Sequence, residues 1–81
     1  MKRVRFYHSA ICPRCRLSSH WLKGVLAEFP EVEIERIEFL RHRARARADG
    51  VRGIPALVAG ERRLSGFLLT KSRLQRFLAS I

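Results

Sequence analysis

At 81 residues the chain has room for one domain, residues 1–81, with a thin core, and 47% apolar content excludes a disordered polymer. Seventeen Lys and Arg against seven Asp and Glu give a formal charge of +10, a field that attracts anions, acidic proteins or nucleic acid and constrains the fold little. No stretch approaches the roughly 20 apolar residues of a transmembrane helix. The basic start (Lys2, Arg3, Arg5) runs into His8 and Ser9 without a signal peptide's apolar region. A cytoplasmic, monomeric chain without a membrane partner is the expectation.

Val4 to Tyr7 reads as a first strand and His8 to Ile11 as a turn. Pro13 suits the first position of a helix, where its missing N–H is no loss. From Arg14 to Phe29, Leu17, Trp21, Leu22, Val25, Leu26 and Phe29 recur at helical spacing until Pro30 stops the helix. Val32 and Ile34 alternate with glutamates as a strand, and the break at Arg36–Ile37 predicts a short one. Leu40 to Ala48 favours helix by propensity, with Ala44 or Ala48 expected on the sheet and Asp49-Gly50 as the stop. Ile54 to Ala59 and Arg62 to Ser65 flank Gly60-Glu61 as a hairpin. Thr70 can cap a last helix, Lys71 to Ser80, with Leu74, Phe77, Leu78 and Ile81 on one face. The order β-α-β-α-β-β-α calls for an α/β fold, a central mixed four-stranded sheet flanked by three helices.

The chemistry sits at Cys12-Pro13-Arg14-Cys15. A bridge across so short a spacing constrains an unfolded chain little, so structural stapling explains the pair poorly. A free thiol ionises near 8.5. At a helix N-terminus, unpaired N–H groups and the helix dipole favour the thiolate, and Arg14 and Arg16 add positive charge. Cys15, one turn later, can attack a mixed disulfide formed at Cys12. The expected reaction is thiol–disulfide exchange, with Cys12 as nucleophile and Cys15 as resolving thiol.

The chain resembles the thioredoxin/glutaredoxin superfamily over nearly its whole length. Besides the Cys pair after a strand, Asp49 to Leu57 is similar to the segment entering a strand through a cis-proline, and Ser65-Gly66, Leu69-Thr70-Lys71 and Leu74-x-x-Phe77-Leu78 to the hairpin exit and last helix. The resemblance implies a minimal thioredoxin-like fold and catalytic Cys12 and Cys15. It implies a cis Pro55 beside the sulfurs and substrate contacts at Pro13, Arg14, Ile54 and Pro55, where the Ile54 backbone pairs with an extended substrate. Protein or small-molecule disulfides would be the substrates, and a disulfide reductase or glutathione the thiol donor. The chain departs from thioredoxins at Ile11 and Phe6, where they carry Trp and a buried acid. It departs from glutaredoxins at Arg14 and at Ser65-Gly66-Phe67-Leu68, which keeps only the second of their two glycines and lacks the following acid.

Rival readings attach to the same residues. His8, Cys12, Cys15 and His20 are zinc-type ligands in one stretch, but helical geometry sets Cys15 and His20 about 140° apart around the axis, leaving only a cluster shared between subunits open. No metal or organic cofactor is expected. His8 reads as a polar strand end, and Trp21 as core or rim. Arg41 to Arg47 spreads its arginines around the axis without interleaved aromatics, which argues against nucleic acid and for a solvated face that steers acidic partners or anionic thiol donors. From another class stands a basic, non-catalytic binding module on the same fold.

Overall fold

The computed structural model describes residues 2–81. Strand β1 (Lys2–His8) leads through a turn into helix α1 (Pro13–Leu26), and α1 returns to strand β2 (Val32–Glu38). A 3₁₀ turn (Phe39–Arg41) and helix α2 (Arg43–Ala48) follow, then strands β3 (Ala56–Ala59) and β4 (Arg62–Ser65) and helix α3 (Lys71–Ser80). The four strands lie in the order β2-β1-β3-β4, with β1 and β2 parallel and the other neighbours antiparallel. This is the mixed sheet with three helices expected from the element order. Parallel β1 and β2 need a crossover, which α1 supplies. Ala59 pairs with Arg62 across a two-residue turn, where Gly60 takes a φ of 63°, a conformation open to glycine.

Side chains alternate between two covered faces of the sheet. Val4, Phe6 and Leu57 meet Leu22 and Val25 of α1 and Leu74, Phe77 and Leu78 of α3 in one apolar cluster, with Trp21 at its rim. On the opposite face Tyr7, Ala56 and Val58 meet Ile37, Ala46 and Val51. The first cluster fixes α1 against β1, and so fixes where the turn between them must lie.

Four local expectations are corrected. Strand β2 runs seven residues to Glu38, because its apolar residues change faces: Val32 and Ile34 pack on the first cluster and Ile37 on the second. Arg36 keeps the first face, its guanidinium 5.5 Å over the Phe6 ring. The helix expected from Leu40 is split, because Glu38 accepts the Leu40 N–H at 2.8 Å and holds a 3₁₀ turn, and His42 (φ −132°, ψ 44°) breaks the path before α2. Ala46, not Ala44 or Ala48, is the buried alanine of α2. The first helix also stops at Leu26, three residues short of Phe29, which lies in the following turn and packs against the core.

Candidate functional site

The turn between β1 and α1 places Cys12 as the N-cap of α1, with extended backbone (φ −102°, ψ 109°) and Pro13 in the first turn. Its N–H donates to the Ser9 carbonyl at 3.2 Å and its own carbonyl accepts from Arg16 N at 3.1 Å. The sulfur takes the role that a Ser or Asp oxygen takes at other helix starts: Sγ accepts the Cys15 backbone N–H at 3.3 Å. Both cysteines are free thiols, Cys12 8% exposed and Cys15 2%. The sulfur open to a partner is therefore that of Cys12.

Electrostatics drives the two thiols apart. Burial by itself would raise Cys12, but the Cys15 thiol and N–H bonded to its sulfur, the Arg14 charge and the Arg14 N–H outweigh burial and hold it below the ordinary thiol range. Cys15 moves upward, first by burial and then by its bond to Cys12 and the charge on that sulfur. Of the two thiols the arrangement makes Cys12 the easier to ionise, with Cys15 the protonated neighbour that donates to it.

Cys12 opens into a groove of about 960 Å³ built by four connections. Pro13 and Arg14 line it from the helix start, Ile54 from the approach to β3, Phe39 and Leu40 from the 3₁₀ turn, and Ser65 to Phe67 from the exit of β4. Pro55, behind a cis Ile54–Pro55 bond, is fully buried and outside that lining. The Arg14 guanidinium lies 4.5 Å from the Phe67 ring centroid and donates to the Phe67 carbonyl at 3.4 Å, tying the motif to the β4 exit. Glu38 braces the other end: its carboxylate accepts the Ala10 N–H at 3.1 Å and the Leu40 N–H, and these bonds, Leu40 first, hold it below the usual carboxylate range against the opposing effect of desolvation.

Some sequence candidates lie elsewhere. The His8 ring stacks on Phe6 with centroids 5.3 Å apart, does not line the groove, and is held below its ordinary pKa by burial and then by Arg36. Among the described residues no three His, Cys, Asp or Glu side chains gather as a metal site, so His8 and His20 form no such set with the cysteines. Nor is any helix among them long and apolar enough to cross a membrane. Groove residues without a sequence signal are Ser9, which is buried and caps the Cys12 N–H, Leu40, Arg52 and Phe67.

No protein-family profile and no curated protein matches the sequence. Solved structures do match it. Oxidised mitochondrial thioredoxin 3 of Saccharomyces cerevisiae superposes with a TM-score of 0.84 at 16% identity, over 99% of this chain and 78% of that one. Reduced desulfothioredoxin of Desulfovibrio vulgaris Hildenborough gives 0.79 at 24% identity, over 99% and 81%. A thioredoxin of Fasciola hepatica gives 0.78 at 19%, over 96% and 78%. The chain has the thioredoxin-like fold.

Proposed function

We propose that the chain is a dithiol–disulfide oxidoreductase. The Cys12 thiolate attacks one sulfur of a substrate disulfide, forming a mixed disulfide and releasing the other substrate sulfur as a thiolate, which takes a proton from solvent. Cys15 then loses its proton and attacks Cys12 Sγ. The second substrate thiol leaves, and a Cys12–Cys15 disulfide remains. Two electrons pass from the protein's dithiol to the substrate. The single observation that carries this reading is the Cys12 sulfur acting as the N-cap of α1 on the groove floor, bonded to the Cys15 N–H at 3.3 Å. Helix-start N–H groups favour its anion, and Cys15 lies within reach as resolving thiol.

Pro13, Arg14 and Ile54 are the proposed substrate-contacting residues, with Pro55 setting the backbone direction at Ile54. Disulfide-bonded proteins are the proposed substrates, in keeping with the thioredoxins that share the fold. Turnover with glutathione alone, or only with a flavin-dependent disulfide reductase, distinguishes the two candidate donors. The deciding test is Cys12→Ser. It should abolish insulin-type disulfide reduction with the fold retained, whereas a variant as active as the parent refutes the reading and leaves the non-catalytic binding module.

A further inference from the structure

The groove around Cys12 has a chemical character of its own. Four large apolar residues stand exposed among the described residues, and three of them, Ile11 (81%), Leu40 (47%) and Phe67 (75%), line it, leaving only Leu17 elsewhere. No Asp or Glu lines it. The two acids beside its connections are turned to internal bonds, Glu38 to the Ala10 and Leu40 N–H groups and Asp49 to Arg5 and Tyr7. Two arginines do line it, from different connections: Arg14 at the helix start and Arg52 between α2 and β3. Arg52 makes no hydrogen bond or ion pair among the described residues, and Arg14 spends one N–H on a long contact to a carbonyl while its guanidinium rests on Phe67.

Exposed apolar side chains next to uncompensated guanidinium groups fit one kind of visitor. We propose that this groove selects polypeptide disulfides whose cysteine is flanked by acidic and large apolar residues. The inference rests on the disulfide exchange proposed above and names its substrate class. Apolar flanks would cover Ile11, Leu40 and Phe67, and carboxylates would face Arg14 and Arg52, where guanidinium forks bind them in pairs of hydrogen bonds. The formal charge of +10 works in the same direction at longer range, drawing acidic chains toward the groove before contact. A polypeptide is favoured over a small disulfide because the exposed apolar residues come from three separate connections, which suits a chain passing across them.

The test uses the full chain, reduced beforehand, in single turnover against two disulfide-bridged peptides that share an aromatic flank and differ only in Glu or Lys beside the cysteine. The dithiol supplies both electrons, so no further reductant is needed. The Glu peptide should react about tenfold faster at low ionic strength, with the advantage shrinking as salt rises. Arg52→Glu should cut the Glu-to-Lys rate ratio about tenfold, and Phe67→Ala should slow the aromatic-flanked peptide more than a Gly-flanked one. Equal rates for both peptides would overturn the selection while leaving the exchange chemistry standing. A small anionic disulfide that outpaces the Glu peptide, indifferent to Phe67→Ala, would overturn the polypeptide assignment. If neither peptide is reduced, the exchange chemistry fails, and binding of the same peptides read by fluorescence anisotropy still decides the groove: tighter binding of the Glu peptide upholds selection, and equal binding overturns it.

Discussion

Asp49, the C-cap residue of α2, ties that helix to the sheet, and its removal can be worked out in some detail. Oδ1 accepts from Arg5 Nη2 at 3.1 Å, and Oδ2 accepts from the Tyr7 hydroxyl. Arg5 Nε lies 3.0 Å from Oδ2 but is not aimed at it, so this is a charge contact and not a hydrogen bond. The Asp49 carbonyl also accepts from Arg63 Nη1 at 3.3 Å. Asp49→Ala leaves a buried phenol and a part-buried guanidinium without their anion. Breaking a fully buried pair costs about 3–5 kcal/mol. Here the side chains of Arg5 and Asp49 are 30% and 19% exposed, so water recovers part of the loss, and about 2–3 kcal/mol is the expected cost. For a chain of this size that lowers Tm by about 10–20 °C. A second measurement isolates the phenol. Burial first, and then Asp49, push Tyr7 up to about 12. An unfolded tyrosine ionises near 10, so the Tyr7 contribution is fully present below pH ~10 and is lost as pH rises through about 12, up to about 2.7 kcal/mol in all. The difference in alkaline stability slope between parent and Tyr7→Phe should show this loss. Thermal unfolding followed by the single Trp, Trp21, supplies the midpoints, and urea unfolding with the same probe across alkaline pH supplies the slopes. An Asp49→Ala midpoint within about 2 °C of the parent, or identical alkaline slopes for parent and Tyr7→Phe, would refute the reasoning.

Two further outcomes follow from the same geometry. Leu22 is fully buried between α1 and β1, so Leu22→Ala should cost about 2–5 kcal/mol in urea unfolding, and a cost below about 1 kcal/mol would mean that α1 is not held by this cluster. In the reduced protein, the depressed Cys12 contributes stability that is lost as pH falls through its folded pKa, and the raised Cys15 contributes stability that is lost as pH rises above the unfolded thiol value. The thiol contribution to reduced-state stability should therefore peak near pH ~8.5, absent in the Cys12→Ser/Cys15→Ser double variant, and a pH-independent difference between the two proteins would contradict it.

Much of the fold was legible because local signals agreed with tertiary demand. Thr70 capping Arg73 N at 3.4 Å, Pro13 in the first turn of α1 and the Gly60 turn are short-range features that a sequence displays directly. The misread parts are those decided at a distance. Arg/Ala-rich propensity pointed to a helix from Leu40, but the Glu38 carboxylate captures both the Leu40 N–H and the Ala10 N–H, 28 residues away, and that bond is invisible to a periodicity argument. The β2 alternation broke because both faces of the sheet are covered, so Ile37 could be apolar on the face opposite Ile34. The same division holds at the site. Cys12 and Cys15 could be read as a pair, since one helix turn sets both. Ser9, Leu40, Arg52 and Phe67 come from four connections, and only the fold brings them around one sulfur.

The two faces of the sheet hold the groove by different physics. On the α1 and α3 side the contacts are apolar, joined by one buried polar link, Ser18 Oγ accepting the Leu69 N–H at 3.1 Å. That side fixes the start of α1, and with it the N–H groups around the Cys12 sulfur. Helix α2 buries one side chain, Ala46, and is otherwise held by charge: Arg45 to Glu35 at 2.9 Å, and Asp49 to Arg5 and Tyr7. Gly50, at a φ of 78°, follows directly and leads into the Arg52–Ile54 wall of the groove. Hydrophobic packing changes little with salt or moderate pH, whereas part-exposed ion pairs are screened. The thiolate's surroundings thus rest on the insensitive face, and the wall carrying Arg52 rests on the sensitive one. In the proposed exchange, reactivity of the sulfur and choice of its partner would be set by separate sets of contacts, so a change at Asp49 would reach the second while leaving the bonds to Cys12 in place.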